Sequence, residues 1–262
     1  MTSAFFFNNI YYNTCTQQHF SIKALFDGNI LSSVLNRLPP NAQVLDLGCG
    51  SGCWVMDMAI DYPHFQFIGV DMADMFPTAI RPENVKFQLQ NILQGLPFPD
   101  NTFDFVHMRL LIIAFQKKDW PWVLSEIYRV LKPGGIVQLM ESDFTEKTNV
   151  PIVEKFNNEF IKAMLDLEQD PWIGSKLSHL LEEQNFQVVE LKEKYLDYKL
   201  PLNPISKEML TNWKDAMLSI RPMLAHRFES ADYNAVVDQY IDGITQAGWK
   251  VKLWALCGQK KE

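Results

Sequence analysis

The chain has 262 residues, of which 47% are hydrophobic and 21% are charged, and its formal net charge is −7 at pH 7. This composition is that of an ordinary globular protein, so it excludes a disordered, collagen-like or coiled-coil chain. The acidic balance argues against general nucleic-acid binding, which leaves a basic footprint. No apolar run approaches the roughly 20 residues that a membrane-spanning helix needs.

The cysteines and the first residues bear on the compartment. The four cysteines, at positions 15, 49, 53 and 257, include no pair at the spacing of a zinc site. A chain of this size buries enough apolar surface without disulfides. The first residues lack the layout of a signal peptide. We therefore expect reduced thiols, a cytoplasmic protein and no metal.

The first half of the chain alternates strand-like and helix-like segments. Strands are predicted over residues 42–47, 65–71, 84–89, 103–108 and 136–141. Helices are predicted over 54–62 and from Asp119, expected as an N-cap, to the stop at Lys132-Pro-Gly-Gly. Strands that alternate with helices form βαβ units with a parallel sheet. Right-handed crossovers then make the α/β sheet doubly wound.

The second half is less regular. Helices are predicted over 151–168 and 174–183, with Asn185 as a left-handed cap. A strand over 186–191, extending toward 200, and a last strand over 249–257 flank a helical interruption, 201–248, in which Ser230 is expected as an N-cap. No linker rich in Gly, Ser or Pro divides the chain, so we expect a single domain over 1–262.

A glycine-rich run follows the first predicted strand. Gly48, Gly50 and Gly52 lie in Val44-Leu-Asp-Leu-Gly-Cys-Gly-Ser-Gly. Glycine lets a ligand approach the backbone closely, and ligands of open parallel sheets bind at the carboxyl ends of the strands. Asp71 ends the next strand about 20 residues further on, the spacing at which nucleotide folds place a carboxylate on a ribose.

Two ligand classes compete for this geometry. Dinucleotide sites use G-x-G-x-x-G because the pyrophosphate lies on the helix N-terminus. Here Cys53 stands where the last glycine of that pattern would be, which disfavours an NAD-dependent oxidoreductase. The observed G-x-G-x-G, with Asp46 two residues before it, favours a ligand without phosphates.

The segment from about residue 42 to 143 resembles the class I S-adenosylmethionine-dependent methyltransferases. The matching blocks are 44–52, Ile68-Gly-Val-Asp, Gly95-Leu-Pro-Phe-Pro-Asp-Asn-Thr-Phe-Asp-Phe-Val and Arg129-Val-Leu-Lys-Pro-Gly-Gly. Further blocks are similar to fungal methyltransferases of secondary metabolism, namely Gly52-Cys-Trp-Val-Met-Asp-Met-Ala, Val106-His-Met-Arg and Asp119-Trp-Pro.

The resemblance implies a Rossmann-like seven-stranded sheet, mostly parallel, with an antiparallel last strand. It further implies an N-terminal helical cap (1–40), a cofactor-binding core (41–200), a helical lid insertion before the last strand (201–248), and a last strand with its tail (249–262). S-adenosylmethionine would be the cofactor and S-adenosylhomocysteine the product.

The family's binding roles carry over to residues of this chain. The implied contacts are Gly48, Cys49 and Gly50 with the methionine portion, Asp46 with its ammonium, Asp71 with the ribose, Met72 and Ile92 with the adenine, and Met108 and Arg109 near the sulfonium. The family usually has Asp after the third strand, where this chain has Asn91. An amide oxygen can still accept the adenine amino group, without charge assistance.

Methyl transfer by in-line SN2 displacement needs a nucleophile held in line with the breaking bond, and in some cases a proton acceptor. The candidates by location are His19, His107, Glu141 and Asp143. His19 is interpreted either as a catalytic or acceptor contact, or as a capping and packing residue. His107 fits a packed strand position, and the two carboxylates fit either a site or an exposed loop.

The acceptor is expected to be a small, partly apolar molecule. Region 201–248 is rich in methionine and aromatic residues, which can form an adaptable pocket or simply pack on the sheet. Arg109-Leu-Leu-Ile stands where some amino-methyltransferases carry Asn-Pro-Pro-Tyr. The alternative to an enzyme is a regulatory partner protein that keeps the fold. The oligomeric state is left open.

Overall fold

The computed structural model describes residues 10–78, 81–144 and 147–261, with side chains from residue 16 onward. The start of the expected cap, residues 1–9, and the side chain of Cys15 lie outside this part of the chain. Within it, Cys49, Cys53 and Cys257 are free thiols. Every helix in the described ranges is too short or too polar to cross a lipid bilayer.

Seven strands of the described chain form one sheet. They are β1 (Gln43–Leu47), β2 (Gln66–Asp71), β3 (Val85–Leu89), β4 (Phe103–Arg109), β5 (Leu131–Asp143), β6 (Phe186–Asp197) and β7 (Lys250–Lys260). Their order is β3-β2-β1-β4-β5-β7-β6. Strands β1 to β5 pair in parallel, and β7 runs antiparallel to both β5 and β6. The doubly wound α/β sheet with an antiparallel last strand is thus confirmed.

Nine α-helices accompany the sheet in the described ranges. They are α1 (Ile10–Leu25), α2 (Ser32–Leu35), α3 (Cys53–Asp61), α4 (Asp119–Val130), α5 (Pro151–Asp166), α6 (Ile173–Glu183), α7 (Pro204–Ser219), α8 (Arg221–Leu224) and α9 (Tyr233–Ala247). Short 3₁₀ turns lie at Ile92–Gln94 and Ala225–Arg227. The long helices bury one face, as Val123, Ile127 and Val130 of α4 show.

Two predicted helix caps are wrong and one is confirmed. Asp119 is the first residue of α4, and its carboxylate accepts the Gln116 N–H of the preceding turn instead. Helix α9 is capped by Asp232, which accepts the Ala235 N–H at 3.2 Å, whereas Ser230 lies outside the helix. Asn185 takes the expected left-handed conformation after α6, with φ 65°.

Strand β1 lies between β2 and β4, so the strand order reverses at β1. The chain runs from β1 to β2 and β3 on one side and then returns to β4 on the other. The carboxyl ends of β1, β2 and β4 therefore meet at one edge, where open parallel sheets bind ligands. Helices α1 and α7 pack against each other beside this edge, and the Ser21 hydroxyl of α1 donates to Glu208 of α7 at 2.9 Å.

The loop before β4 is held by Arg129. Its guanidinium donates two bonds to the Glu126 carboxylate at 2.8 Å and others to the carbonyls of Leu96 and Phe98. Glu126 also accepts the Leu96 N–H at 2.8 Å, and the bonds from Arg129 hold the pKa of Glu126 below its usual range. One side chain thus connects α4 to the segment that leads into the central strand.

We predict that Arg129→Met lowers the free energy of unfolding by about 3 kcal/mol, because it leaves the nearly buried Glu126 carboxylate without its cation. Chemical denaturation measures the loss. Lys162→Met, which removes an exposed i,i+3 pair with Glu159, serves as the control and should cost less than about 1 kcal/mol. Equal losses in the two variants would contradict the assigned role of Arg129.

Candidate functional site

The glycine loop connects β1 to α3 at the switch point of the sheet. Gly50 has φ +54°, and a Cβ placed on it would meet nothing within 4 Å, so the backbone there is open to a ligand. Gly48 has φ +67°, and a Cβ on it would lie 2.7 Å from Cδ2 of Leu111. The positive φ favours glycine at both positions. The Leu111 side chain fills the space beside Gly48, whereas the space beside Gly50 is open.

The Asp71 carboxylate is bound to the glycine loop. It accepts the N–H of Gly50 at 2.8 Å and that of Ala73 at 2.9 Å, and burial raises its pKa. A carboxylate has about four lone-pair positions, so two remain for further donors. The expected ribose contact is thus compatible with these bonds, and the same side chain holds the loop in place.

Asp46 lies under the loop and is nearly buried. Its carboxylate accepts a bond from His107 Nδ1 at 2.7 Å, across the β1–β4 pair in which the two residues are direct neighbours. The His107 ring stacks on Trp54 of α3, with centroids 3.9 Å apart. Burial lowers the pKa of His107 despite the carboxylate. His107 is thus a packed core residue, one of the two readings of the sequence.

The residues expected around the adenine follow two adjacent strands. Met72 follows β2, and its side chain is exposed. Asn91 and the buried Ile92 follow β3, which pairs with β2 in parallel. The Asn91 amide oxygen accepts the Leu93 N–H at 3.0 Å and so caps the 3₁₀ turn. The second lone pair of this oxygen remains for the adenine amino group, and the adenine contact stays a prediction.

Cys49 and Met108 are both turned into the protein. Met108 lies in β4 and is 1% exposed. The Cys49 sulfur packs against Gly69 of β2, where a Cβ would be only 2.9 Å away. Burial strongly raises the pKa of the Cys49 thiol. A contact of these two residues with a cofactor would therefore run through the backbone.

His19 of α1 reaches the end of β4. Its Nε2–H donates to Asp57 at 3.0 Å, and its Nδ1 accepts a bond from the Arg109 guanidinium at 3.1 Å. The side chain is fully buried, and burial together with the Arg109 charge lowers its pKa to about 4. Both ring nitrogens are engaged, so the catalytic role of His19 stays a prediction that requires Arg109 to release Nδ1.

Asp57 of α3 accepts hydrogen bonds from several residues of the N-terminal segment. This residue was not identified from the sequence. Besides His19, it accepts Lys23 Nζ at 2.7 Å and the Asn29 amide at 2.6 Å. These donors hold its pKa below the usual range against the effect of burial. The donors lie 28 to 38 positions away in the chain, and the only local signal was a carboxylate among the apolar residues in the middle of α3.

The two carboxylates of β5 are buried, which excludes the exposed-loop reading. Glu141 accepts the N–H groups of Leu111 and Ile112, and burial raises its pKa to about 8. Asp143 accepts the Ser175 N–H at the start of α6 and the Trp254 indole N–H, both at 3.0 Å. Both carboxylates therefore bind N–H groups of the protein itself.

The aromatic residues of region 201–248 are mostly packed. Trp213 of α7 lies against Phe144, directly after β5, with ring centroids 5.5 Å apart, and its indole N–H donates to Tyr240. Met209, Met217 and Tyr233 are buried as well. Among the described residues, no group of three or more His, Cys, Asp or Glu side chains is placed to hold a metal ion.

Known proteins resemble the chain over this same region. A family model described as a methyltransferase domain matches residues 44–135. The secondary metabolism regulator laeA of Coprinopsis cinerea is 40% identical over 100 residues, which cover 38% of this chain and 24% of that protein.

Two relatives match over a longer stretch. Methyltransferase str3 of Strobilurus tenacellus is 30% identical over 67% of this chain and 66% of its own length. N-methyltransferase verN of Clonostachys rogersoniana is 26% identical over 85% and 80%. The chain thus spans a quarter of laeA and just under two thirds of str3.

A solved structure confirms the fold. Phosphoethanolamine N-methyltransferase 2 of Haemonchus contortus, in complex with S-adenosyl-L-methionine, superposes with a TM-score of 0.59 at 19% identity, over 100% of this chain and 61% of that one. The sheet order, the glycine loop and the strand-end carboxylate define a Rossmann-like protein of the methyltransferase type. The chain belongs to the class I S-adenosylmethionine-dependent methyltransferases, with relatives in fungal secondary metabolism.

The buried, neutral His19 makes the stability depend on pH. Its pKa of about 4 in the folded protein lies below the ordinary 6.5, so its contribution is fully present above pH 6.5 and is lost as the pH falls toward 4. We predict that His19→Gln loses less stability than wild type across this window, by about 2 kcal/mol.

Urea denaturation between pH 7 and pH 4 measures the difference, and His107 is present in both proteins and cancels. His179→Gln, which removes an exposed histidine of α6, should follow the wild-type slope. A His19→Gln slope equal to that of wild type would mean that His19 is not held neutral.

Proposed function

We propose that the protein transfers a methyl group from S-adenosylmethionine to a small, partly apolar acceptor. The observation that carries the proposal is the bond between the Asp71 carboxylate and the Gly50 N–H at 2.8 Å. It joins the carboxylate expected on the ribose to the loop expected on the methionine portion. The open space at Gly50 supports the fit of this cofactor to the residues present.

The residues of the chain would divide the work as follows. Asp71 would hold the ribose hydroxyls, and the backbone of residues 48–50 would follow the amino-acid end. Asp46 would face the ammonium with the oxygen that His107 does not use. When bound, S-adenosylmethionine supplies an electrophilic methyl group for in-line SN2 displacement. Helices α1 and α7 would exclude water at the carboxyl edge.

The aromatic residues beside this edge support an apolar acceptor. Phe144, directly after β5, and Trp213 of α7 pack against each other there. The names of verN and of the Haemonchus enzyme specify N-methylation. We therefore propose that the nucleophile of the acceptor is a nitrogen atom. The cytoplasmic location expected from the cysteines stays a prediction.

A regulatory function is the second candidate. The match to laeA, named as a regulator, is the most identical of the relatives described here and covers the glycine loop region. The same fold can carry either function, because function is set by the site and not by the fold. Cofactor binding alone does not separate the two candidates, so turnover has to be measured as well.

We predict that S-adenosylmethionine and S-adenosylhomocysteine bind and that NAD does not bind comparably, as measured by calorimetry. Asp71→Ala should weaken S-adenosylhomocysteine binding at least tenfold, because each lost charge-assisted bond is worth about 1.5–3 kcal/mol. Asp74→Ala removes an exposed carboxylate three residues away and should bind like wild type. An unchanged dissociation constant in folded Asp71→Ala would place the ribose elsewhere.

For turnover, we predict that S-adenosylhomocysteine forms faster with aromatic or aliphatic amines than with the matched phenols, carboxylic acids or thiols. Mass spectrometry of the product identifies the methylated atom. A protein that binds the cofactor but forms no more product with any of these acceptors than without one would support the regulatory candidate.

A further inference from the structure

The turn after β4, residues 110–112, has an unusual backbone. Leu110 has φ +54° although it is not glycine. A bulky residue in this left-handed region costs of order 1–3 kcal/mol and persists only where surrounding contacts impose it. The Leu110 N–H still donates to the Met140 carbonyl of β5 at 2.9 Å. The strain therefore begins where the sheet ladder ends, and other contacts have to hold the next two residues.

Glu141 supplies those contacts from the neighbouring strand. One of its oxygens accepts the Leu111 N–H at 2.6 Å, and the other accepts the Ile112 N–H at 3.3 Å. The Glu141 residue is only 1% exposed. Burying a carboxyl group is costly, and an apolar residue would serve the core of β5 better. The two hydrogen bonds to the turn account for the presence of the Glu141 carboxyl group in the core.

Residues 110–112 place the Leu111 side chain on the glycine loop. Both terminal carbons of Leu111 lie within 2.9 Å of the position that a Cβ on Gly48 would take. Leu111 therefore packs directly on the backbone of Gly48, the residue at which the amino-acid end of the cofactor is expected. The order of contacts is Glu141, then the N–H groups of the turn, then the Leu111 side chain, then Gly48.

We propose that Glu141 is a positioning residue that fixes Leu111 against Gly48 and so shapes the binding surface for the amino-acid end of the cofactor. The proposal rests on the cofactor site given under the proposed function. In this role Glu141 acts through its hydrogen bonds to the turn and not through a contact with the cofactor or the acceptor.

Asp143 provides a matched control. It lies two residues further along β5 and is equally buried, but its bonds go to Ser175 and Trp254 instead of the turn. Asp143→Asn therefore changes a buried carboxyl group of the same strand into an amide without touching residues 110–112. Glu141→Gln keeps the shape of Glu141 but turns an NH₂ group toward one of the two N–H donors.

The first measurement is hydrogen exchange of the ligand-free protein. In Glu141→Gln, the amides of Leu111 and Ile112 should exchange at least tenfold faster than in wild type, while the Leu110 amide, bonded to Met140, keeps its rate. Asp143→Asn should leave all three rates unchanged. Equal rates in Glu141→Gln and wild type would overturn the proposal.

The second measurement is the dissociation constant of S-adenosylhomocysteine by calorimetry. Glu141→Gln and Leu111→Ala should each weaken binding at least tenfold. The double variant should bind as tightly as the single variant with the lower affinity, because both changes interrupt the same chain of contacts to Gly48. Additive effects, unchanged affinity or tighter binding in Glu141→Gln would overturn the proposal. If Glu141→Gln does not fold, Glu141→Asp, whose shorter side chain cannot reach both N–H groups, takes its place with the same expectations.

Wild-type binding separates this inference from the proposed function. If wild type does not bind S-adenosylhomocysteine, the cofactor site falls and this inference falls with it. If wild type binds and the Glu141→Gln and Leu111→Ala variants bind equally well, only the role of Glu141 is wrong.

Discussion

The carboxylate of Asp57 is the point at which three parts of the chain meet. It lies on α3, directly after the glycine loop, and accepts hydrogen bonds from His19 and Lys23 of α1 and from Asn29 in the segment before β1. The other nitrogen of His19 accepts from Arg109 at the end of β4. The N-terminal helix is thus bound to the elements on either side of the switch point, to α3 through Asp57 and to β4 through Arg109.

The segment after α1 is bound to the sheet by two further polar contacts. Gln138 of β5 accepts the Leu31 N–H at 2.7 Å and donates to the Asn29 carbonyl at 3.1 Å. The Trp54 indole N–H donates to that same carbonyl at 3.2 Å. Trp54 also stacks on His107 of β4. One buried side chain thus contacts both the segment after α1 and the central strand.

The strands and the glycine loop were predictable because they are local patterns. Buried apolar runs ending in glycine or aspartate marked β1 and β2 within a residue of their observed bounds. Strand β5 begins earlier than predicted, at Leu131, since Leu131 pairs with Phe103 across the sheet. Such pairing depends on strand order, which the sequence does not display. The partners of His107, Glu141 and Asp57 were out of reach for the same reason, since each bond joins residues far apart in the chain.

The antiparallel insertion of β7 also constrains the order in which the sheet can form. In the described sheet β6 has β7 as its neighbour, and β7 in turn pairs with β5. Strand β6 therefore cannot join the sheet before β7 is available to pair with it, and β7 follows α7, α8 and α9 in the chain. The parallel half around β1 and β4 contains the glycine loop and does not require β7 as a pairing partner. The part of the fold that defines the ligand edge can thus assemble early, whereas the strands beyond β5 depend on contacts of large sequence separation, which slow folding.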